Sequence, residues 1–207
     1  MTRRQKRGAE TRAQVLDATL RVLARSGPRG VTHRAVAAEA GTSLRATTYY
    51  FDNREDLLAQ ALEHYADKAI ARFEHLRIPP QALQGVGDNL LAGAAAVLAQ
   101  VVIGDVVDDR DGLVAEYELL LELGRNPSLE PTYQRWQSAL LDMLRSYTIA
   151  FGSDDPDLDA RLVLATLRGL ELEALAAPSK TVSRDRLEAA FRRLLAPLVD
   201  RSAHPDT

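Results

Sequence analysis

There is no cysteine in this chain. That excludes disulfide scaffolds, zinc–thiolate sites and thiol nucleophiles, and it fits a reducing compartment. The longest apolar stretches are broken by Gly, Asn, Gln or charge before they reach bilayer length, and the basic N-terminus lacks the apolar run of a signal peptide. A soluble, cytoplasmic protein is expected. Alternating β-branched segments are few, so strands are not expected either. Also missing are a G-x-S-x-G turn, an H-E-x-x-H helix and a phosphate loop, and the glycines at 85, 87 and 93 fit no dinucleotide fingerprint. His64 and His75 lie eleven residues apart, about three helical turns, and are read as helix surface rather than joint metal ligands. The carboxylates of "DDRD" (108–111) have no histidine beside them and are read as a solvated turn. No catalytic residue, metal site or cofactor is expected.

What is present is a chain of 207 residues, 46% hydrophobic and 27% charged, which can bury a core as one long domain or two small ones. The net charge of −3 hides an asymmetry. Residues 1–54 hold eleven basic and four acidic side chains, a net of +7, and the rest hold fifteen and twenty-five, a net of −10. A basic front on an acidic body is the outline of a polyanion-binding head.

The hydrophobic spacing is helical throughout. After a flexible basic arm at 1–8, a first helix is expected from about Glu10 to Arg25, with Val15, Leu16, Thr19, Leu20, Val22 and Leu23 as its buried stripe. "SGPRG" stops it through Gly27 and Pro28. Thr32 can cap a second helix to Glu39, Gly41 supplies a turn, and Thr42 or Ser43 caps a third helix to Tyr50. "DNREDLL" opens a fourth, with Glu55 and Asp56 in its first turn, running towards Leu76 and ending at "IPP" (78–80). Further helices are expected at about 81–103, 111–124, 129–151, 157–176 and 183–199. No internal repeat or sustained heptad is visible.

The stretch "THRAVAAEAGTSLRATTYYF" carries the chemistry. Two short helices meet across a glycine turn, with small Ala37 at their crossing, which is the spacing of a helix-turn-helix. Within it, Leu44, Ala46 and Phe51 are read as holding the helix to the head. Arg45 can donate two hydrogen bonds to a guanine edge, and Thr47 or Thr48 can offer a hydroxyl or methyl to a base. Tyr49 and Tyr50 can reach phosphates, as can the amides at helix N-termini. A helical hairpin that caps a bundle, with half-buried tyrosines, is the plainer alternative.

Over about Thr11–Leu58 the sequence resembles the TetR (tetracycline repressor) family of bacterial regulators. The resemblance rests on Thr32, Val36, Ala37, Ala40, Gly41, Thr42 and Ser43, then Tyr50, Phe51, Arg54, Glu55 and Leu57. Thr42 stands where valine is usual, Thr48 where tyrosine is, and Tyr50 replaces a histidine. These departures look like a subgroup and leave open which tyrosine makes the phosphate contact, Tyr49 being preferred and Arg54 a second clamp. The resemblance implies an all-α protein with a helix-turn-helix domain over 1–54 and an effector-binding, dimerising helical bundle over 55–207, the fourth helix linking them. The DNA-binding set is then Thr32, Arg34, Thr42, Ser43, Arg45, Ala46, Thr47, Thr48, Tyr49, Tyr50 and Arg54. A homodimer would bury Leu162, Gly169, Leu170 and Leu172 of one helix and Leu187, Phe191 and Leu194 of another.

An effector pocket should be apolar with a few polar anchors. Apolar stripes place Leu90, Val97, Tyr117, Leu121, Trp136, Leu140 and Met143 as its candidates, although such stripes are more often plain core. The reading is a repressor released from a palindromic double-stranded DNA operator by an unknown small molecule. A helical scaffold without specific DNA readout, or a helical enzyme, are the rival readings.

Overall fold

The computed structural model describes residues 3–76, 87–177 and 182–202, and among these no strand occurs. The proline stop expected at 78–80 and the first residues of the helix expected from 81 lie outside the described residues. The described chain packs into two compact units, one reaching to Ala69 and taking in Arg110–Trp136, the other comprising Ile70–Asp109 and the chain from Gln137.

In the first unit, α1 (Arg3–Gly30) is longer than its apolar stripe predicts: the basic arm is already helical from Arg3. Gly27, at φ 63°, breaks the helical geometry before Pro28, where a residue with a Cβ would be strained. Val15, Leu16, Thr19, Leu20, Val22 and Leu23 are all buried, as their spacing predicts. The Thr19 hydroxyl donates back to the Val15 carbonyl at 2.9 Å, so this polar group adds no unsatisfied donor to the core. Against α1 packs α2 (His33–Glu39), and against α2 packs α3 (Leu44–Tyr50). The turn between them closes with Gly41 at φ 62° and Thr42 N–H donating to the Ala37 carbonyl at 3.0 Å.

The start of α4 (Arg54–Leu76) is capped from both sides: Asn53 Oδ1 accepts from Asp56 N–H at 2.8 Å, and Asp56 Oδ2 accepts from the N–H of Asp52, one residue before Asn53, at 3.0 Å. Beside α1 lies α6 (Arg110–Leu123).

In the second unit, α5 (Gly87–Ile103) continues as one π-helical turn at Gly104–Asp108 and packs on α9 (Arg184–Ser202) and α8 (Pro156–Ala176). Contrary to the sequence expectation, Leu90–Asp108 is long and apolar enough to cross a membrane by length and composition. Its packing on α8 and α9 makes it a core helix of its unit instead, with the Asp105 carboxyl held inside. A 3₁₀ turn at Pro127–Leu129 precedes α7 (Glu130–Ala150), which begins in the first unit and ends in the second. Thr148 on α7 donates to the Pro156 carbonyl at 3.1 Å, joining that end to the start of α8.

Candidate nucleic-acid interface

The helix α3 has two turns, too short to stand alone, so its position depends on caps and neighbours. Ser43 Oγ accepts from Ala46 N–H at 3.2 Å, as Thr32 Oγ1 does from Ala35 N–H at 3.1 Å on α2. Phe51 and Thr47, four residues apart, form the buried side of α3. Thr47 is therefore removed from the base-reading set. Its side chain is wholly buried, and its hydroxyl donates to the Leu44 carbonyl at 2.8 Å beside the His33 carbonyl at 3.5 Å. It holds α3 to α2.

Arg45, Thr48, Tyr49 and Ser43 are exposed, and Thr42, Ala46 and Tyr50 are half-buried. Arg45 makes no ion pair among the described residues, so its guanidinium needs to break nothing before meeting an acceptor. The Thr48 hydroxyl donates into its own helix, to the Leu44 carbonyl at 3.2 Å or that of Arg45 at 3.3 Å, which leaves its methyl and acceptor lone pairs outward. Leu44 is a correction of the opposite kind from Thr47. Read as core, it is 47% exposed in the first turn of α3, beside Arg45. A window of seven residues has too few apolar positions for periodicity to separate these two faces.

Tyr49 is 79% exposed and its ring meets Tyr50 edge-on, the centroids 5.0 Å apart. Arg34 and Thr32 are exposed at the start of α2, with the Thr32 hydroxyl oxygen occupied as the cap. Arg54 is not a free clamp. Its Nε donates to the Pro28 carbonyl at 3.0 Å, and its other nitrogens face Glu55 at 3.2 Å and Glu122 at 3.6 Å. It ties the start of α4 to the α1–α2 turn and to α6.

Charged contacts fix this head in place. Glu39 accepts from Arg21 at 2.7 Å and from Arg25, and those two hydrogen bonds hold its carboxyl below the usual range. Gln14 donates to the Ala40 carbonyl at the end of α2 at 2.8 Å. His64 is no bare surface residue: its Nε2 lies 2.9 Å from Asp17 Oδ1, and Lys68 Nζ lies 3.2 Å from the same oxygen, joining α4 to α1.

Burial alone would raise the Asp17 pKa, but the His64 hydrogen bond and the charge of Lys68 bring it below its ordinary 3.8. A depressed carboxyl contributes stability above its unfolded pKa and loses it as pH falls through the folded value. Asp17→Asn is therefore expected to lower the melting temperature at neutral pH, with the deficit against wild type shrinking below about pH 4. A deficit constant from pH 7 to pH 3 would show that the ion cluster does not contribute.

The effector candidates are divided between the units. In the first, Trp136 is buried, Tyr117 half-buried, and Leu121 is 69% exposed and so outside any interior lining. In the second, Leu90 and Leu140 are buried, Val97 and Met143 half-buried. The sequence reading missed two buried polar groupings. Tyr65 donates to Glu116 at 2.7 Å beneath Trp136, whose ring meets Tyr65 edge-on at 5.8 Å. In the second unit Asp105 pairs with Arg72 at 2.8 Å, near the buried Glu171. Burial pushes the Asp105 carboxyl up, against the pull of Arg72. The signal for each was an acid with apolar neighbours on both sides, Glu116 after Val114 and Ala115 and Asp105 between Ile103 and Val106.

Of the expected dimer residues, Leu162 and Leu172 are 46% and 48% exposed, Gly169 is exposed, and Leu170 and Leu194 are half-buried. Leu162, Gly169 and Leu172, with Leu158 and Ala165, also exposed, form an apolar stripe at helical spacing along α8, whereas Leu194 lies on α9. Leu187 and Phe191 are corrected: at 5% and 0% exposed they belong to the interior of their own unit. An apolar α9 position looks the same in sequence whichever of two surfaces it covers.

Residues 15–61 match the family described as bacterial regulatory proteins, tetR family, and residues 91–197 match that described as tetracyclin repressor-like, C-terminal domain. The chain is similar to the HTH-type transcriptional regulator PksA of Bacillus subtilis (strain 168), 36% identical over 67 residues, 32% of this chain and 33% of PksA. It is also similar to the HTH-type nicotine-responsive transcriptional repressor HdnoR of Paenarthrobacter nicotinovorans, 26% identical over 118 residues, 57% of each chain. These matches thus span a third and somewhat over half of the curated relatives. Among solved structures, the multidrug binding protein EbrR complexed with ethidium is similar with a TM-score of 0.64 and 29% identity, over 89% of this chain and 98% of that one.

Proposed function

The chain belongs to the tetR family of bacterial regulatory proteins, and from that premise we propose that it is a DNA-binding transcriptional regulator rather than an enzyme, a cytoplasmic repressor released from a palindromic operator by a small molecule. The observation that supports it most is Arg45: exposed, without an ion pair among the described residues, on a capped helix that buried Thr47 and Phe51 hold in place. In this reading residues 1–54 are the DNA-reading head and 55–207 the effector-binding and dimerising body. Arg45, Thr48 and Leu44 read base edges, and Thr42, Ser43 and Ala46 lie close enough to pack on them. Thr32, Arg34, Tyr49 and Tyr50 meet the phosphates, which set register without carrying sequence.

The exposed α8 stripe of Leu158, Leu162, Gly169 and Leu172 joins two copies, flanked by Leu170 and Leu194. Two heads related by a two-fold axis then require an inverted repeat, with half-site centres one helical turn or a multiple apart. The effector acts by binding two body conformations unequally, and such coupling is typically about 1–3 kcal/mol. Tyr117 and Trp136 in the first unit, and Leu90, Val97, Leu140 and Met143 in the second, remain its candidate contacts. HdnoR is named as nicotine-responsive and EbrR was solved with ethidium, so those two compounds are the first probes.

In-vitro selection of bound duplexes from a random pool is expected to enrich an inverted repeat. Adding an effector found among such probes is expected to release it. A pool that stays unenriched after repeated rounds overturns the proposal of specific readout.

A further inference from the structure

The first turns of α1 do more than begin a helix. Residues 3–14 precede residues 15–61, over which the chain matches the family, and they continue α1 as one helix. This extension runs beside the end of α3. A Cβ at Gly8 would stand 3.4 Å from the Tyr50 hydroxyl oxygen, so a larger residue there would press on the ring. Between the two helices lies an open groove lined by Gln5, Arg7, Thr11, Arg12, Tyr49 and Tyr50, with Gly8 and Ala9 between them. Among the described residues no carboxylate lines it.

The polar groups differ in how they are engaged. Arg7 is exposed and makes no ion pair among the described residues. Arg12 is already oriented: its guanidinium stands 5.9 Å from the Phe51 ring centroid and hydrogen-bonds Gln60. The Tyr49 hydroxyl is at the tip of a ring 79% exposed. Two guanidinium groups and two phenols along an open channel, with no acid among its described lining residues, suit the phosphodiesters of a nucleic-acid strand. Their side chains supply the contacts, and the helix end itself plays no part.

We propose that the groove between the N-terminal extension of α1 and the tyrosine end of α3 seats one strand of the DNA backbone, with Arg7 as its principal phosphate contact. This rests on the reading of α3 as the DNA-binding helix. It adds a second, sequence-independent grip beside it. Lys6, adjacent in the chain and equally exposed but not among the groove-lining residues, provides the contrast.

The test is the salt dependence of binding by the full-length protein to a random-sequence duplex, compared for wild type, Arg7→Gln and Lys6→Gln. Each phosphate contact adds about 0.9 to the slope of log K against log salt. Arg7→Gln is expected to lower the slope by about 0.9 for each head, and Lys6→Gln to leave it near the wild-type value. An unchanged slope in Arg7→Gln overturns the proposal, as does an equal drop in both variants, which would mean a diffuse basic surface. Far-UV circular dichroism verifies that each variant folds. Preference for the selected operator over random DNA is measured separately. Its absence in the wild type defeats the reading of α3, whereas the slope on random DNA judges the groove.

Discussion

Phe191→Ala is expected to lower the stability of the folded protein by about 3–5 kcal/mol, the usual cost of emptying a filled aromatic site. Phe191 has no exposed surface, and Leu187, Leu195 and Leu198 on the same helix are buried with it. Removing the ring takes away its apolar burial and leaves a cavity that packed α-helices close only in part. Against a typical total of about 5–15 kcal/mol this is a large fraction, and a fall in melting temperature on the order of 10 °C should accompany it. The measurement also separates two roles for α9. A residue buried between copies would lose less when the protein is dilute, because a dimer's stability depends on protomer concentration. The deficit of Phe191→Ala should persist across protomer concentrations. A deficit that vanishes on dilution would return Phe191 to the interface between copies.

Arg45→Ala is expected to weaken binding to the selected operator by about 1–3 kcal/mol for each half-site and to relax one base position there. Binding to random duplex should hardly change, because the lost group reads a base edge and the phosphate contacts remain. Since Arg45 makes no ion pair among the described residues, the substitution leaves no buried partner charge, and the melting temperature should stay near that of wild type. Competition between operator and random duplex, at one fixed salt concentration, measures the ratio. A parallel loss on both duplexes would make Arg45 a phosphate contact and move the base readout to Leu44 and Thr48.

The helices with long apolar stripes were legible in the sequence. For α1 the spacing of Val15, Leu16, Leu20 and Leu23 fixed the buried face, since sixteen residues give several turns for the periodicity to accumulate. The caps at Thr32 and Ser43 were equally legible, because a cap is a local hydrogen bond between residues three apart. The extension of α1 back to Arg3 was not. "MTRRQKRG" has charge but no apolar rhythm, and its helix is continuous with one whose burial lies further along. Arg54 misled for a related reason. A cation at the start of a helix reads as a phosphate clamp, yet its partners, the Pro28 carbonyl and Glu122, are 26 and 68 residues away.

By itself the sequence determined that the chain is helical, that its charge is divided, and where a capped two-helix turn presents Arg45 and two tyrosines. Those features depend on spacing, composition and contacts within one or two turns, all of which are written in consecutive residues. The tertiary structure alone decided which side of each short element faces inward. It buried Thr47 and left Leu44 outside, and it turned Phe191 into its own unit while leaving Leu162 and Leu172 exposed. It also carried the Tyr65 hydroxyl to Glu116, 51 residues distant. Burial is a property of what packs opposite a residue, and the packing partner is chosen by the fold rather than by neighbours in the chain.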